Sequence, residues 1–264
     1  MNENSLKYTC LLGGGAIRGI TYSGAIKALE ELGVQTKTYA GSSVGAVIAA
    51  LLAVGFNAEE INEILLEVNF ELFKDIQLGI GPKLALSKGE VFQEWLRGHI
   101  ESKFYGSKYK KGAHRAVTFK DLEKNLIIIT TDLSNYVCKE FSKQETPDFE
   151  IAKAVRISCS MPGLIQPTEY NNTLLVDGDL QKSWPMWKLS NNLMSDDERI
   201  LEFRLEGFAQ SNDFNPLDFA NTVYSCMTAM ASSFVSKLYG SRDKFDYLVL
   251  NTGDVIVVDF NLSK

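Results

Sequence analysis

The stretch TKTYAGSSVGAVIAALLAV, residues 36–54, joins a short apolar segment to an Ala- and Val-rich run through a cluster of small residues. Its pattern predicts a strand over 36–40 and a helix over 44–54, joined by a tight turn. Strand and helix patterns continue to alternate along the rest of the chain. This alternation predicts an α/β protein of three-layer α/β/α architecture, with a mostly parallel central sheet.

The turn inside this stretch has the form G-x-S-x-G, which α/β proteins use to place an exposed nucleophilic serine between a strand and a helix. Ser43 has a glycine two residues before it and two after it, Gly41 and Gly45, whereas Ser42 does not. We therefore predict that Ser43 is the nucleophile and that the two glycines accommodate a sharply bent backbone. A structural turn that caps a buried helix is the alternative, and the motif alone does not decide.

A second glycine-rich turn spans residues 13–19, between a predicted strand over 8–12 and a predicted helix over 20–32. It does not fit the dinucleotide pattern G-x-G-x-x-G, because Arg18 stands at the last position. It does not fit the phosphate-loop pattern either, because no lysine follows Gly19. Exposed N–H groups in such a turn suit a smaller anion, such as the oxyanion of an acyl-transfer intermediate, with Arg18 bracing the loop or adding positive potential. A structural turn remains the alternative.

Asp177-Gly178 follows the apolar run Leu174-Leu175-Val176. A carboxylate there can be held at the carboxyl edge of the sheet, where open α/β sheets place their sites, although Asp-Gly is also a common hairpin turn. The two histidines, His99 and His114, lie in a helical stretch and in a Gly/Lys-rich linker, and both are predicted to be solvated. A serine hydrolase without a suitable histidine needs another base, and a positioned carboxylate can serve.

In this order, the glycine-rich turn, the G-x-S-x-G turn and Asp177-Gly178 resemble the patatin-like phospholipase family of Ser/Asp-dyad lipid acyl hydrolases. The resemblance runs from about Tyr8 to Phe260, with further landmarks at 117–122, 130–133 and 147–162. It identifies the chain as similar to a bacterial-type single-domain member of that family.

The resemblance implies a role for each matched residue. The hydroxyl of Ser43 attacks the ester carbonyl, Asp177 accepts its proton, and Gly41 and Gly45 shape the nucleophile elbow. The oxyanion loop comprises Gly13, Gly14, Gly15, Ala16 and Arg18, with the N–H groups around Gly14, Gly15 and Ala16 as donors. The mechanism requires no metal and no cofactor.

Two positions depart from the family pattern. The aspartate motif usually continues as Asp-Gly-Gly or Asp-Gly-Ala, whereas Asp179 stands third in this chain. A second carboxylate close to Asp177 tends to raise the pKa of one of the pair. Ser183 stands where the family commonly has an asparagine two residues before a proline. We nevertheless expect an active enzyme.

The chain of 264 residues, 45% of them hydrophobic, is long enough for one sizeable core, and no linker or repeat divides it. We predict a single domain over 1–264 with an irregular, lid-like insertion at about 70–116. Its residues 70–86 are apolar and are expected to line a lid or an acyl pocket.

The net charge and the composition of the N-terminus restrict which partners and which cellular location we expect. The net charge of −6 argues against nucleic acid as the main partner. The basic stretch 103–120 is either a surface for anionic lipid headgroups or a solvated loop. No apolar run reaches the roughly 20 residues that a membrane span needs, and the N-terminus lacks the apolar segment of a secretory signal. We expect a cytoplasmic protein in peripheral contact with membrane or micellar lipid; any activating protein partner is left open.

Three function classes follow. The first is a lipid acyl hydrolase acting on phospholipid, lysophospholipid or neutral lipid. The second is a general carboxylesterase or thioesterase that uses the same dyad on soluble esters. The third is a catalytically impaired lipid-binding protein in which Asp179 and Ser183 mark loss of the site.

Overall fold

The computed structural model describes residues 6–68, 85–181, 197–207 and 244–253, together with the helical residues 222, 224, 226–231, 233–234 and 237. The strands in these ranges are β1 (Lys7–Leu12), β2 (Gln35–Gly41), β3 (Ala85–Ser87), β4 (Asn125–Asp132), β5 (Val137–Ser142), β6 (Gly163–Ile165), β7 (Thr168–Tyr170), β8 (Thr173–Asp177), β9 (Glu198–Glu206) and β10 (Phe245–Asn251). The helices are α1 (Tyr22–Glu31), α2 (Val44–Val54), α3 (Ala58–Glu67), α4 (Glu90–Tyr105) and α5 (Ile151–Ser158).

The central sheet is parallel over most of its width. In the order β10-β9-β1-β2-β4 every neighbouring pair is parallel. On the far side, β4 pairs in antiparallel fashion with β5 and β8, and β8 with β7. Asn171 and Asn172, both at positive φ, form the two-residue turn between β7 and β8. The predicted three-layer α/β/α class is confirmed, with an antiparallel extension at one side.

Both faces of the central strands are buried. Successive side chains of a strand point to opposite faces, so neighbouring residues belong to two different hydrophobic clusters. Leu12 of β1 and Ile128 of β4 belong to the larger cluster, and their neighbours Leu11 and Ile127 to the smaller one. Helix α2 lies within the larger cluster, and each of its residues from Gly45 to Ala53 is buried. Its alanines allow close packing against β2, α4 and α5, which holds the start of α2 rigidly at the sheet edge.

Helix α4 lies inside the segment predicted as a lid-like insertion, and it is the helical stretch predicted around His99. Helix α4 buries Phe92, Leu96 and Ile100 against the core and packs on α2 and α5. Its apolar residues recur at intervals of four, so they form one stripe that the core covers. Of residues 70–86, to which the lid or acyl pocket was assigned, 70–84 lie outside the described residues, as does Ser183.

In residues 216–239 the apolar side chains recur at helical spacing, which predicts a helix that packs them in the core. This prediction of core packing is wrong for three of them. Met227, Met230 and Phe234 are 45%, 73% and 65% exposed. Helical spacing of apolar residues shows that they share a face, but not that another element covers it. None of the helices in the described part of the chain combines the length and the apolarity that crossing a bilayer requires.

Candidate active site

Strands β2 and β8 both pair with β4, and their C-terminal ends lie next to each other. Because β5 occupies one edge of β4, β2 and β8 must share the other edge. The parallel strand β2 stops at Gly41, opposite Ile128. The antiparallel strand β8 stops at Asp177, opposite Thr130. The two carboxyl ends therefore meet at Ile129, which brings the turn after β2 and the aspartate of β8 to one point.

This junction corrects the reason for the predicted position of Asp177. The sequence placed it at the carboxyl edge of a mostly parallel sheet, but β8 runs antiparallel to β4. Asp177 reaches the carboxyl edge of the parallel strands because of the register of β8, not because of its direction.

Ser43 occupies a strained backbone conformation directly before α2. Its φ of 52° and ψ of −130° lie in a region that non-glycine residues rarely adopt. A Cβ at Gly41 would clash with the carbonyl of Gly45, and one at Gly45 would clash with the carbonyl of Leu12. The backbone around Ser43 thus bends as tightly as the G-x-S-x-G pattern predicts.

Two successive hydrogen bonds through Ser158 support the backbone at Ser43. Its N–H donates to the Oγ of Ser158 at 3.0 Å, and that hydroxyl donates to the carbonyl of Ile129 at 2.5 Å. Ser158 comes from the last turn of α5, so α5 and β4 jointly support the strained turn. This role of Ser158 was not predicted, because the residue lies inside the landmark stretch 147–162 without a motif of its own.

Asp177 is fully buried, and its two carboxylate oxygens differ. Oδ1 accepts the backbone N–H of Asp179 at 2.8 Å. Oδ2 has no hydrogen-bond partner among the described residues. Burial, and then the neighbouring charge of Asp179, raise the pKa of Asp177 to about 7, while the Asp179 N–H and the nearby hydroxyls of Ser43 and Tyr224 oppose the rise. One oxygen is thus anchored and the other is available to accept a proton.

Tyr224, from the helical positions between 222 and 237, was not predicted to face the site. Its hydroxyl is buried and, like Oδ2 of Asp177, has no hydrogen-bond partner in the part of the chain that is described. Burial, with the charges of Asp177 and Asp179, raises the pKa of Tyr224 well above its usual value, so the phenol stays neutral. Because the hydroxyls of Tyr224 and Ser43 both act on the pKa of Asp177, the three side chains lie close together.

The glycine-rich turn after β1 lies next to this point, and its N–H groups are not equally available. The N–H of Gly13 donates to the carbonyl of Phe203 in β9 at 3.4 Å, so Gly13 does not present a free donor. The N–H of Gly14 donates to Oδ1 of Asp179 at 3.1 Å. For Gly15 and Ala16, no N–H acceptor is found among the described residues.

Arg18 packs beside Gly207 at the end of β9: a Cβ on that glycine would lie 3.3 Å from the guanidinium carbon. Partial burial lowers the pKa of Arg18 below its usual value. This position agrees with a residue that braces the loop against β9.

The two histidines are packed on aromatic rings. His99 lies edge-on to Trp95, with ring centroids 4.9 Å apart, and burial lowers its pKa. His114 stacks on Tyr105 at 4.2 Å. Both were predicted to be solvated surface residues, and both are partly exposed, with neighbouring aromatic side chains covering the rest of each ring. Within the described ranges, no three His, Cys, Asp or Glu side chains converge where a metal ion would bind.

An apolar groove adjoins the site. Val44, the residue after Ser43, and Ala16 of the glycine-rich turn both line it. Further along, the lining passes to α3 and α4 and remains apolar, including Ile20, Leu65, Phe92 and Trp95.

Half of the basic side chains of the 103–120 stretch are paired. Lys103 binds Glu60 at 2.6 Å, and Arg115 binds Asp121 with two hydrogen bonds of 2.7 Å. Lys120 pairs with Asp148. Such pairing reduces the charge that this surface offers to an anionic headgroup.

Known proteins with related sequences match the regions that build this site. A family model described as “Patatin-like phospholipase” matches residues 11–186. The chain is 27% identical over 271 residues to “Uncharacterized protein YqhO” of Bacillus subtilis, a match that covers 95% of this chain and 89% of that protein. It is 29% identical over 184 residues to “Probable lipid hydrolase 463L” of Invertebrate iridescent virus 6, covering 67% of this chain and 61% of the viral protein.

Among solved structures, the fold is similar to that of VipD from Legionella pneumophila, with a TM-score of 0.65. That match covers 97% of this chain and 62% of VipD at 18% identity, so the likeness concerns the fold alone. The chain thus spans about three fifths of the viral protein and of VipD.

Proposed function

The chain belongs to the patatin-like phospholipase family, and from that premise we propose that it is a lipid acyl hydrolase. It cleaves fatty-acyl ester bonds of phospholipids or lysophospholipids through Ser43 and Asp177. The observation that carries the proposal is the junction of β2 and β8, where a strained serine lies beside the unpartnered Oδ2 of a buried aspartate. Strained backbone and perturbed carboxylates concentrate at catalytic sites.

Each step of the reaction has a residue to perform it. Oγ of Ser43 attacks the acyl carbonyl carbon while Oδ2 of Asp177 takes the hydroxyl proton. The tetrahedral intermediate collapses, the C–O bond to the lipid alcohol breaks, and that alcohol takes the proton from Asp177. Water, deprotonated by Asp177, then hydrolyses the acyl-enzyme and releases the fatty acid. The proton returns to Ser43.

The pKa of Asp177 suits this role. A general base works best when its pKa is close to the operating pH, and burial with the charge of Asp179 raises that of Asp177 to about 7. An ordinary exposed carboxylate would be a much weaker base toward a serine hydroxyl. The developing oxyanion is assigned to the N–H groups of Gly14, Gly15 and Ala16.

The apolar groove supports a fatty-acyl substrate over a small soluble ester. It begins one residue from Ser43 and remains apolar along α3 and α4. Each methylene buried there contributes about 0.8 kcal/mol, so an acyl chain whose first methylenes enter the groove gains binding energy that a shorter ester does not.

The first experiment measures fatty-acid release from mixed-chain phosphatidylcholine vesicles and from lysophosphatidylcholine micelles. Wild type is compared with Ser43→Ala and Asp177→Asn, whose folding is checked by thermal unfolding. Release that both variants abolish supports the dyad, and the chain released reports the ester position cleaved. Release that survives Ser43→Ala contradicts the mechanism.

A second experiment separates the lipid hydrolase from a soluble esterase. Leu65→Trp fills the groove, and Leu32→Trp adds the same ring at an exposed position 78% accessible to solvent. Leu65→Trp should lower kcat/KM for long-chain substrates at least about tenfold and leave short nitrophenyl esters within about twofold. Equal losses of kcat/KM for long-chain and short-chain esters would instead favour the hypothesis of a soluble esterase.

A further inference from the structure

We propose that the carboxylate of Asp179 plugs the oxyanion site: it occupies the N–H of Gly14 and must leave that N–H before an acyl oxyanion binds there. Asp179 is therefore an inhibitory residue within the site, and its displacement is part of activation by substrate. The proposal rests on the proposed function, because the oxyanion forms only if Ser43 attacks an acyl carbonyl.

Two neutral donors hold the carboxylate in place. Oδ1 of Asp179 accepts the N–H of Gly14 at 3.1 Å and also the hydroxyl of Ser42. The residue is only 4% exposed. In the described ranges, no lysine or arginine forms an ion pair with it. A buried carboxylate without a cationic partner is costly, so little free energy opposes its displacement.

The carboxylate fills the space that the oxyanion needs. A Cβ on Gly14 would lie 2.8 Å from the Cβ of Ser43 and closer still to the carboxylate of Asp179. The three groups therefore converge on one small volume. An oxyanion must lie about 2.7–3.1 Å from its donors, so it and Oδ1 of Asp179 compete for the same N–H. Two negative charges at that separation also repel each other.

With Asp179 in place, the oxyanion site lacks one of its three N–H donors. The N–H groups of Gly15 and Ala16 have no acceptor among the described residues, whereas that of Gly14 is taken. Losing one oxyanion donor typically lowers turnover by about 10²–10³-fold. Removing the plug should recover part of that factor.

The test compares wild type with Asp179→Ala and Asp179→Asn. One readout is kcat on a short nitrophenyl ester. The other is the rate at which a fluorophosphonate labels Ser43: the Oγ–P bond forms, the P–F bond breaks, fluoride leaves and the proton passes to Asp177. Asp148→Ala, which removes an exposed carboxylate elsewhere, is the matched control.

Asp179→Ala is expected to raise both rates about ten- to hundredfold, and Asp148→Ala to leave them unchanged. Asp179→Asn removes the charge but keeps an acceptor for Gly14, so it should raise them less. Ser42→Ala, which removes one of the two donors that hold the plug, should raise both rates about two- to tenfold and covers the case in which Asp179→Ala does not fold.

The outcomes separate the plug from the proposed function. If wild type is labelled at Ser43 and folded Asp179→Ala is labelled no faster, the plug is overturned and the serine hydrolase stands. The same holds if both rates fall together with thermal stability, as a merely structural residue predicts. If Ser43 is labelled in none of these proteins, both proposals are overturned.

Discussion

Two Ser–Asp pairs lie side by side where β2 and β8 meet, and they differ in how their polar atoms are satisfied. The hydroxyl of Ser42 donates to Asp179, whose Oδ1 also accepts the N–H of Gly14. One residue further, Ser43 holds a φ of 52°, and Oδ2 of its neighbour Asp177 has no hydrogen-bond partner among the described residues. Residues of the same types, one and two positions apart, thus occupy opposite energetic situations.

Unsatisfied hydrogen bonds and backbone strain distinguish the pair that reacts from the pair that does not. A buried polar group without a partner costs about 1–3 kcal/mol, and a strained backbone position costs a similar amount. The rest of the fold must offset this free-energy cost. A reacting molecule that hydrogen-bonds to the pair can remove part of it. In the other pair, the Ser42 hydroxyl and Oδ1 of Asp179 are hydrogen-bonded to each other. We therefore assign the Ser42–Asp179 pair a gating role and the Ser43–Asp177 pair the chemistry.

The largest expected effect separates the two serines. Ser43→Ala should lower kcat for ester hydrolysis by at least about 10⁴-fold, because it removes the attacking oxygen. Ser42→Ala should raise kcat about two- to tenfold, because it only loosens Asp179. The measurement is kcat on a nitrophenyl ester with both variants folded. Comparable losses in the two variants would erase the distinction between the pairs.

The pH dependence of activity tests the base. Since Asp177 must be ionised to accept a proton and its pKa is about 7, kcat/KM should rise with pH through 7. At pH 5 it should be about 100-fold below its plateau, since each pH unit below the pKa is a factor of ten. Asp179→Asn removes a charge that raises this pKa, so its acid limb should move to lower pH. An acid limb at the same pH in both proteins would show that the two carboxylates do not interact.

Stability should depend on pH through the same group. Burial raises the pKa of Asp177 in the folded protein from 3.8 to about 7. The stability that its proton contributes is therefore complete below pH 3.8 and is lost as pH rises through 7. Asp177→Asn, which is neutral at every pH, should raise Tm at pH 8 and change it little at pH 4. The exposed control Asp148→Asn should show no such pH-dependent gain.

The smallest effect concerns the support of the strained turn. Ser158→Ala leaves the N–H of Ser43 without its acceptor, so the free energy of unfolding should fall by about 1–3 kcal/mol. Activity should fall far less than in Ser43→Ala, because the reacting atoms remain. Ser102→Ala, which breaks one hydrogen bond to the carbonyl of His99, is the control in denaturant titrations. A loss no larger than that of the control would mean that the strain needs no support from α5.

Local features of the fold were accessible to sequence reasoning. The helix predicted over 44–54 is α2, Val44–Val54, and the strand predicted over 36–40 lies within β2. An apolar run that ends in small residues leaves the backbone few choices, because only glycine tolerates the close approaches at Gly41 and Gly45.

Features that depend on distant elements were not accessible. The run at 173–177 predicts a strand but neither its antiparallel direction nor its meeting with β2. Likewise, the spacing of Met227, Met230 and Phe234 predicts a shared face, while only the packing shows that it is exposed.

The strand, turn and helix around Ser43 were therefore predictable from the residues alone, because steric limits on a tight turn act between neighbouring residues. The sequence also identified Asp177 and Asp179 as carboxylates without showing what each contacts. Only the tertiary structure decided that Asp179, 165 positions from Gly14, takes its N–H while Oδ2 of Asp177 stays unpartnered among the described residues. Hydrogen bonds between distant segments follow from strand register and packing, and no short motif encodes those.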